Sequence, residues 1–378
     1  MSVRHILPNA MLGILGGGQL GRMFTIAARS MGYRVTVLDP DDESPAGSIA
    51  DVHLRAAYDD RAALDRIIAS CAAVTTEFEN VPAESLVYLG ASLRVSPAPE
   101  SVAIAQDRIR EKRFIVSAGL PVAPFIPVET EEDLAGDLEP LLPGILKLAR
   151  FGYDGKGQLR VASPAECRSA FAELGRKSCV LERQLPLHKE LSVIVVRTSA
   201  SEVRTFPVAE NQHAAGILDV SIVPARIDEA SAERARHMAL RLADAMDYVG
   251  VLAVEFFVLQ DGEIVINEIA PRPHNSGHYT LDSCATDQFE QQVRVLCGLP
   301  PGDTRMLTPV VMVNLLGDIW RDDEPAWDAL LTESNVKLHL YGKKTARIGR
   351  KMGHFNVLAA NVETALSQAE QLKLILGS

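Results

Sequence analysis

The sequence lacks the features that define several large classes of protein. Its 378 residues contain no apolar run of the roughly 18–20 residues that a membrane-spanning helix needs. Acidic side chains outnumber basic ones by 49 to 38, and a net charge of −11 argues against general nucleic-acid binding, which depends on neutralising phosphates. The first residues show no signal-peptide cleavage site. We therefore expect a protein without membrane or nucleic-acid partners.

Cysteine is scarce, and its positions follow no functional spacing. The five cysteines are odd in number and contain no CxxC pair: Cys71, Cys167, Cys179, Cys284 and Cys297. Such a set is typical of reduced thiols in the core of a cytoplasmic protein, and we expect no cysteine nucleophile. The chain also has no internal repeat and no low-complexity segment. Its length predicts two or three domains.

The first motif that the chain does contain is a glycine-rich loop between a predicted strand, Met11–Leu15, and a helix. The glycines of Gly16–Gly21 fit the pattern GxGxxG, and Asp39 follows the next strand, near the place of an acid that binds ribose. NAD binding is therefore one hypothesis. Two alternatives remain open: the glycines only permit a tight turn and close packing, or the loop and Arg22 hold a phosphate of another ligand.

Helical and extended segments alternate to about residue 110, which predicts a doubly wound α/β domain. Further strands are predicted at Gly144–Leu148, which carries Lys147, and at Val203–Val208. A lysine in an apolar strand either reaches solvent or meets a ligand. The loop Phe151–Gln158 between two strands has three glycines, but no Ser or Thr follows Gly155-Lys156, so it is not a Walker A loop.

The most informative stretch is a predicted β-hairpin. Apolar runs over Val251–Leu259 and Glu263–Ile269 flank Asp261-Gly262, a strong signal for a two-residue turn, which places Glu255 directly opposite Glu268. Facing carboxylates repel unless a cation lies between them. Mg²⁺ with bound phosphates suits two carboxylates without His or Cys ligands. The alternative is that one of the two points to solvent at a strand end.

The segment after the hairpin concentrates groups that bind anions. Residues 271–278 form a proline-restricted loop with a cation, an amide and two imidazoles: Arg272, Asn275, His274 and His278. Its place beside the two carboxylates predicts an acceptor pocket next to a nucleotide–metal site.

A second group of basic side chains is unusual in a chain that is acidic overall. Five cations fall within nine residues: Lys343, Lys344, Arg347, Arg350 and Lys351. One interpretation is a pocket for an anionic substrate, most simply a phosphate, because guanidinium forks pair well with phosphate oxygens. The other is a solvated positive turn.

Five segments in this order resemble the 5-(carboxyamino)imidazole ribonucleotide synthase family, ATP-grasp enzymes of purine biosynthesis. They span nearly the whole chain: GGGQLGRM at 16–23, TEFENVP at 76–82, GYDGKGQ at 152–158, NEIAPRPHNSGHYT at 267–280 and YGKKTARIGRKMGH at 341–354. The resemblance implies an α/β and α+β architecture with an N-terminal α/β (pre-ATP-grasp) domain over 1–110, a two-lobed ATP-grasp domain over 111–302 and a small C-terminal domain over 303–378.

The resemblance also implies roles for individual residues. ATP contacts are expected at Arg108, Lys147, Gly152, Tyr153, Asp154, Gly155, Lys156, Gly157, Gln158, Glu182, Arg183, Gln184, Leu185, Glu190, His213, Asn267 and Glu268. Mg²⁺ would be held by Glu255 and Glu268, and the catalytic pocket for bicarbonate and the amine would comprise Arg272, His274 and Asn275. The substrate 5′-phosphate would lie at Lys343 and Arg350, with Tyr153 and Asp154 nearby. Ala270 stands where many ATP-grasp enzymes carry an Asn, which leaves a third metal ligand open.

The implied reaction is the ATP-dependent carboxylation of 5-aminoimidazole ribonucleotide. Bicarbonate attacks the γ-phosphate of ATP to give ADP and carboxyphosphate, and the carboxyl carbon, directly or as CO₂, passes to the amine as phosphate leaves. His274 is a candidate to accept the amine proton. The family also implies a homodimer. Two alternatives share part of the evidence: a related ATP-grasp formyl or carboxylate–amine ligase, and an NAD-dependent oxidoreductase based on the glycine loop.

Overall fold

The N-terminal region is a parallel five-stranded sheet built from alternating strands and helices. The computed structural model describes residues 4–152, 157–320 and 324–377 of the chain. The strand order is β3-β2-β1-β4-β5, so the chain starts at the centre and winds outward in both directions. The elements are β1 (Met11–Leu15), α1 (Gln19–Ser30), β2 (Arg34–Leu38), β3 (Val52–Leu54), α2 (Arg61–Ser70), β4 (Ala73–Thr76), α3 (Ala83–Gly90), β5 (Arg94–Val95) and α4 (Pro99–Ala105). The predicted doubly wound fold of this region is confirmed.

Helix α5 (Arg108–Ser117) leads out of this region. Asp107 caps it, because its Oδ1 accepts hydrogen bonds from the backbone N–H groups of Ile109 and Arg110 at 3.0 and 3.2 Å. Gly119, with φ of +69°, follows its end. Arg108 is the first helical residue, and it lines a cleft that residues of all three regions form.

An antiparallel sheet of four strands forms one lobe of the middle region. The strand order is β6-β9-β7-β8. Its elements are β6 (Phe125–Val128), β7 (Gly144–Leu148), β8 (Gln158–Val161), α6 (Pro164–Glu173) and β9 (Cys179–Arg183). The second glycine-containing segment, Phe151–Gln158, follows β7 and leads into β8, in the strand–loop–strand context that the sequence predicted.

The largest sheet has nine strands and carries both predicted metal-binding carboxylates. The order is β15-β14-β10-β12-β13-β16-β18-β17, and β11 pairs with the end of β10. The elements are β10 (Leu187–Arg197), β11 (Val203–Thr205), β12 (Ala209–Ala214), β13 (Ile217–Val223), α7 (Glu229–Ala245), β14 (Gly250–Leu259), β15 (Ile264–Ala270), α8 (Thr280–Ser283), α9 (Gln288–Leu296), β16 (Val310–Leu316), α10 (Trp327–Leu331), β17 (Val336–Leu340), β18 (Lys351–Leu358) and α11 (Val362–Gly377). The predicted strand Val203–Val208 was too long, because Pro207 cannot donate to a ladder and a new strand starts after it.

The third region continues the sheet of the middle region: its strands in the described ranges, β16, β17 and β18, all belong to that sheet. Strand β16 pairs antiparallel with β13, from Val220 opposite Val313 to Val223 opposite Val310. Helix α11 covers these strands through a core that includes Phe355. The predicted limits of the three domains stay predictions, but the middle and third regions share one hydrogen-bonded sheet.

Helix α9 ties the N-terminal region to the largest sheet. Its Phe289 and Val293 pack in one core with Phe24 of α1 and with Tyr341, which follows β17. This shared core fixes the N-terminal loops beside the hairpin of β14 and β15, where the cleft lies. Within the described ranges, no helix combines the length and apolarity needed to cross a membrane.

Candidate active site

A cleft of about 1470 Å³ brings residues of all three regions together. Eighteen of the predicted site residues line it: Arg108, Lys147, Gly152, Gln158, Glu182, Arg183, Gln184, Leu185, Glu190, His213, Glu255, Asn267, Glu268, Arg272, His274, Asn275, Lys343 and Arg350. Gly157 is not among its lining residues. The predictions for Tyr153, Asp154, Gly155 and Lys156 lie outside the described residues.

Glu255 and Glu268 face each other across β14 and β15, as the sequence predicted. The predicted turn is wrong, however. The N–H of Leu259 donates to the carbonyl of Glu263 at 2.8 Å, which leaves a three-residue loop that ends on Gly262, with φ of +85°. Without a further irregularity, this loop would move the two carboxylates out of register.

A β-bulge at Asn267 restores the pairing of the carboxylates. Glu255 pairs with Glu268 but Phe256 pairs with Ile266, so Asn267 is the extra residue of β15. Strict alternation would send Asn267 and Glu268 to opposite faces of the sheet, whereas both line the cleft. The bulge therefore adds an amide to the two carboxylates.

The two carboxylates have unequal surroundings. Arg108 Nη1 lies 2.8 Å from Glu268 Oε2, and His274 Nε2 lies 3.2 Å from Glu255 Oε1. Burial alone would raise the pKa of Glu268, but the charge and hydrogen bond of Arg108 hold it below its usual range. Burial and the facing Glu268 raise the pKa of Glu255. A cation between them would relieve this repulsion.

The donor atoms of this pair fit a hard divalent cation. Two carboxylates and the amide of Asn267 offer oxygen ligands of the kind that Mg²⁺ prefers. In the parts of the chain that the structure describes, no group of three or more His, Cys, Asp or Glu is arranged to hold a metal. The protein would therefore supply only part of the coordination, and phosphate oxygens and water would supply the rest.

Lys147 reaches the cleft from β7 and shares a buried counter-ion with a second lysine. Lys147 Nζ lies 3.0 Å from Glu182 Oε2, and Lys112 Nζ lies 3.2 Å from Glu182 Oε1. Burial would raise the pKa of Glu182, but the two ammonium groups lower it. The side chain of Lys112 is only 1% exposed, whereas that of Lys147 is 12% exposed and lines the cleft. Lys147 is thus the cation available to an anionic ligand.

Glu190 and His213 form an ion pair on adjacent strands. His213 Nδ1 lies 2.7 Å from Glu190 Oε2. Burial would lower the pKa of His213, but the hydrogen bond to Glu190 raises it. Both line the cleft, and their predicted nucleotide contacts stay predictions.

The loop of residues 271–278 presents some of its polar groups to the cleft and buries others. Arg272 Nε donates to Glu79 Oε2 at 2.6 Å, which joins this loop to the N-terminal region. Asn275 exchanges two amide hydrogen bonds with Asn314, at 2.9 and 2.8 Å. Its amide is thus engaged within the protein, and its predicted contact with substrate stays a prediction.

The expectation that His278 meets an anion is wrong. Its side chain is completely buried, and the ring packs against Phe289 and His354 instead of lining the cleft. Its Nδ1 lies 3.0 Å from the side-chain nitrogen of Gln288. The histidine is therefore part of the core beneath the loop.

The basic cluster divides between the cleft and the surface. Lys343 Nζ donates to Gln19 Oε1 at 2.8 Å, which joins the cluster to the glycine-rich loop Gly16–Gly21 of the N-terminal region. Arg350 also lines the cleft. Lys344 lies on the surface, 68% exposed, and pairs with Glu43. The cluster is therefore not simply a solvated turn, because four of its five cations, all but Lys344, line the cleft.

The glycine-rich loop is occupied by carboxylates of the protein itself. The backbone N–H groups of Gly18 and Gly21 donate to the two carboxylate oxygens of Glu77, and Gly17 N–H donates to Asp39 Oδ2 at 2.7 Å. In a dinucleotide site these donors would hold the pyrophosphate and the acid would hold the ribose. Both are already used, so the structure does not support the NAD interpretation.

We expect MgATP, but not NAD, to raise the melting temperature. MgATP at about 100 times its Kd should add about 2.7 kcal/mol to the free energy of unfolding, whereas NAD finds its donors blocked by Glu77 and Asp39. Differential scanning fluorimetry with each ligand measures this. A stabilisation by NAD that equals that of MgATP would contradict the assignment of the cleft.

Three family models match three successive parts of the chain. The ribonucleotide synthetase preATP-grasp domain matches residues 10–106, the ATP-grasp domain matches 113–289, and the phosphoribosylaminoimidazole carboxylase C-terminal domain matches 310–368. The N5-carboxyaminoimidazole ribonucleotide synthase of Bacillus subtilis strain 168 is 46% identical over 361 residues, which cover 95% of this chain and 94% of that protein. The chain belongs to the N5-carboxyaminoimidazole ribonucleotide synthase family.

Solved structures of the synthase family have the same fold. The Staphylococcus aureus enzyme complexed with ADP is 35% identical, with a TM-score of 0.92, and the match covers 98% of this chain and 99% of that one. The Aspergillus clavatus enzyme in complex with ADP and 5-aminoimidazole ribonucleotide is 32% identical, with a TM-score of 0.90 and the same coverage. The ATP-grasp architecture and the family that the sequence predicted are confirmed.

The prediction of site residues missed Glu77, Glu79 and Glu111, which line the cleft of the synthase, and Lys112, which is buried beside Glu182. Glu77 and Glu79 follow β4, and the carboxyl ends of parallel strands are where α/β proteins bind ligands. That position was a usable signal. Glu111 and Lys112 gave none, because a charged pair inside a helix usually faces solvent, whereas both are buried here.

Glu111 makes stability of the synthase depend on pH. Its Oε1 accepts a hydrogen bond from the N–H of Ile269 at 2.7 Å, and burial raises its pKa from 4.5 to about 8. The folded chain thus keeps a proton that the unfolded chain releases above pH 4.5. This group lowers the free energy of unfolding progressively from about pH 4.5 to about pH 8, and no further above that.

Replacing Glu111 by glutamine should remove this dependence while an amide oxygen still accepts the bond from Ile269. The variant should gain on the order of 2 kcal/mol over wild type between about pH 6 and pH 8.5. Urea denaturation at the two pH values measures the gain, and Glu173→Gln, an exposed carboxylate on α6, is the control. An equal difference at both values would show that Glu111 is ionised throughout.

Proposed function

We propose that this chain carboxylates 5-aminoimidazole ribonucleotide at the expense of ATP, with bicarbonate as the carbon source and Mg²⁺ as the metal. It is an ATP-dependent carbon–nitrogen ligase of purine biosynthesis. The Staphylococcus aureus and Aspergillus clavatus relatives, solved with ADP and with ADP plus the ribonucleotide, support the two organic substrates. Bicarbonate, Mg²⁺ and the residue roles rest on the geometry of the cleft and on the family resemblance.

One contact carries the proposal: His274 Nε2 lies 3.2 Å from Glu255 Oε1. It places the carboxylate pair, which would hold the metal and the phosphates, directly against the loop that would hold the bicarbonate. Attack on the γ-phosphate needs these two ligands side by side. Lys343 and Arg350 open into the same cleft, so a phosphorylated acceptor can share it with the nucleotide.

The chain would contribute to phosphoryl transfer chiefly by neutralising charge. Lys147 and Arg108 are the cations that face the nucleotide side, and each is held by a buried or half-buried carboxylate. Mg²⁺ held by Glu255 and Glu268 would neutralise negative charge on the phosphates at the same place. Arg272, oriented by Glu79, would bind the bicarbonate and then the carboxyphosphate formed from it.

The acceptor would be held by its phosphate. Two charge-assisted contacts, from Lys343 and Arg350, would fix the ribonucleotide so that its amine meets the activated carboxyl group. The product carries an N-carboxylate, and carboxyphosphate hydrolyses in water. Both would therefore have to be kept from solvent within the cleft.

Two further proposals concern the cell and the assembly. All five cysteines are free and buried, which supports a reducing compartment such as the cytoplasm. A homodimer is implied by the family resemblance and stays a prediction, which the molecular mass in solution tests directly.

Oxygen isotope transfer tests the carboxyphosphate step. An oxygen of bicarbonate becomes the bridging atom of carboxyphosphate, and cleavage of its C–O bond leaves that atom on phosphate. With ¹⁸O-labelled bicarbonate, MgATP and the ribonucleotide, we expect one labelled oxygen in each phosphate released. Phosphate that takes its new oxygen from water instead would overturn this mechanism.

A further inference from the structure

We propose that Ser276 and Ser192 are positioning residues that fix the ring of His274 as a hydrogen-bond donor, through Nε2, towards the reacting oxygen atoms. The inference rests on the proposed function and gives His274 a different role from that of a proton acceptor. It comes from the hydrogen bonds on the two ring nitrogens.

The first ring nitrogen, Nδ1, is enclosed by donors. His274 caps the short 3-10 helix Asn275–Gly277, and its Nδ1 accepts the backbone N–H of Ser276 at 3.3 Å. The hydroxyl of Ser276 lies 2.9 Å from the same nitrogen. A backbone N–H can only donate, so Nδ1 carries no proton. The neutral ring then carries its proton on Nε2.

Ser192 supports this arrangement from the neighbouring strand. Its Oγ donates to Ser276 Oγ at 2.8 Å, which leaves the proton of Ser276 for Nδ1 of His274. Both serines are at most 1% exposed, so water does not compete for these bonds. Ser192 lies on β10 directly opposite Glu255, and the strand that positions the carboxylate therefore also positions the serine.

The backbone of His274 is held as firmly as its ring. Gln288 Oε1 accepts the N–H of His274 at 2.9 Å, and the side-chain nitrogen of Gln288 donates to its carbonyl at 2.8 Å. This two-point contact fixes the backbone from which the ring projects, and a flip of the ring would place a carbon atom instead of Nδ1 against the donors of Ser276. The nitrogen that faces Glu255 and the cleft is Nε2, and it already bears a proton.

The chemical consequence is a division of roles. A ring that presents N–H can donate to an oxygen of bicarbonate or carboxyphosphate, where negative charge develops, but it cannot take a proton from the amine. The amine proton would then pass to another acceptor, such as the departing phosphate. His274 is thus the donor, and the two serines act through it.

Two substitutions of His274 separate a donor from a base. In His274→Gln the amide nitrogen can occupy the place of Nε2 and donate, whereas in His274→Asn the amide reaches only the place of Nδ1. We expect the Gln variant to keep kcat within about tenfold of wild type, and the Asn and Ala variants to lose on the order of 10²-fold or more. A Gln variant as inactive as the Ala variant would overturn the donor role.

A double-mutant cycle tests the serines. Ser276→Ala should lower kcat about tenfold in wild type, with an unchanged KM for MgATP, but should have no further effect in His274→Gln, which has no atom at Nδ1. An equal loss in both backgrounds would assign Ser276 a merely structural role and overturn the proposal. Ser192→Ala gives the same test if Ser276→Ala does not fold. A wild-type chain that fails to use the ribonucleotide would instead refute the proposed function.

Discussion

Glu268→Gln should lower kcat for ribonucleotide-dependent ATP cleavage by a factor on the order of 10³ or more. The substitution removes a carboxylate that Arg108 keeps ionised and that faces Glu255 across the hairpin. The amide cannot neutralise a divalent cation, and Arg108 would lose its counter-ion at the proposed site of the nucleotide phosphates. The loss should appear in kcat for every acceptor, since it affects the phosphoryl transfer step.

The matched control for this variant is Glu263→Gln. Glu263 is an exposed carboxylate directly before the return strand β15 of the same hairpin and does not line the cleft, so its loss changes net charge equally without touching the cleft. We expect its kcat to stay within about twofold of wild type. Steady-state kinetics at saturating Mg²⁺ measures both variants. Comparable activity of the Glu268→Gln enzyme would contradict the assignment of the metal-binding pair.

The second large effect is expected at the acceptor phosphate. Combining Lys343→Ala with Arg350→Ala removes two charge-assisted contacts, each worth about 1.5–3 kcal/mol. The KM for the ribonucleotide should therefore rise by at least about 10²-fold. The KM for MgATP and the stabilisation of the fold by MgATP should change little, because in the proposed site these two cations hold the ribonucleotide, whereas the carboxylate pair holds the metal and the nucleotide.

Lys344→Ala is the control for the double variant. Lys344 is adjacent to Lys343 but is 68% exposed and pairs with Glu43 at the surface, where such pairs contribute little. Its removal should leave the KM for the ribonucleotide within about twofold of wild type. An equal rise in the control and the double variant would mean that the cluster attracts the substrate only through its overall charge.

The pairing of Glu255 with Glu268 was predictable from the sequence, although the prediction contained two errors that cancel. The loop has three residues, not two, and the bulge at Asn267 compensates for the difference. Alternation of apolar residues fixes the face that a strand buries, but it does not reveal an extra residue. The same bulge explains why Asn267 lines the cleft, which strict alternation would forbid.

Contacts between distant parts of the chain could not be predicted in this way. The carboxylate of Glu77 accepts hydrogen bonds from the loop residues Gly18 and Gly21, which lie 59 and 56 positions away in the chain, and so occupies donors on which the NAD hypothesis depended. The burial of His278 was equally hidden, because its partner Gln288 belongs to a later helix. Local patterns place a residue on an element, but only the packing of elements decides which groups remain for a ligand.

The most direct measurement is phosphate release from MgATP, with and without bicarbonate and 5-aminoimidazole ribonucleotide. The proposed function predicts rapid release only when all three are present, and loss of that release in the Lys343→Ala, Arg350→Ala enzyme while MgATP still stabilises the fold. Phosphate release that does not depend on the ribonucleotide but increases with formate or with another amine would still indicate an ATP-grasp ligase. It would contradict the proposed substrate. An absence of hydrolysis under every condition would contradict the account as a whole.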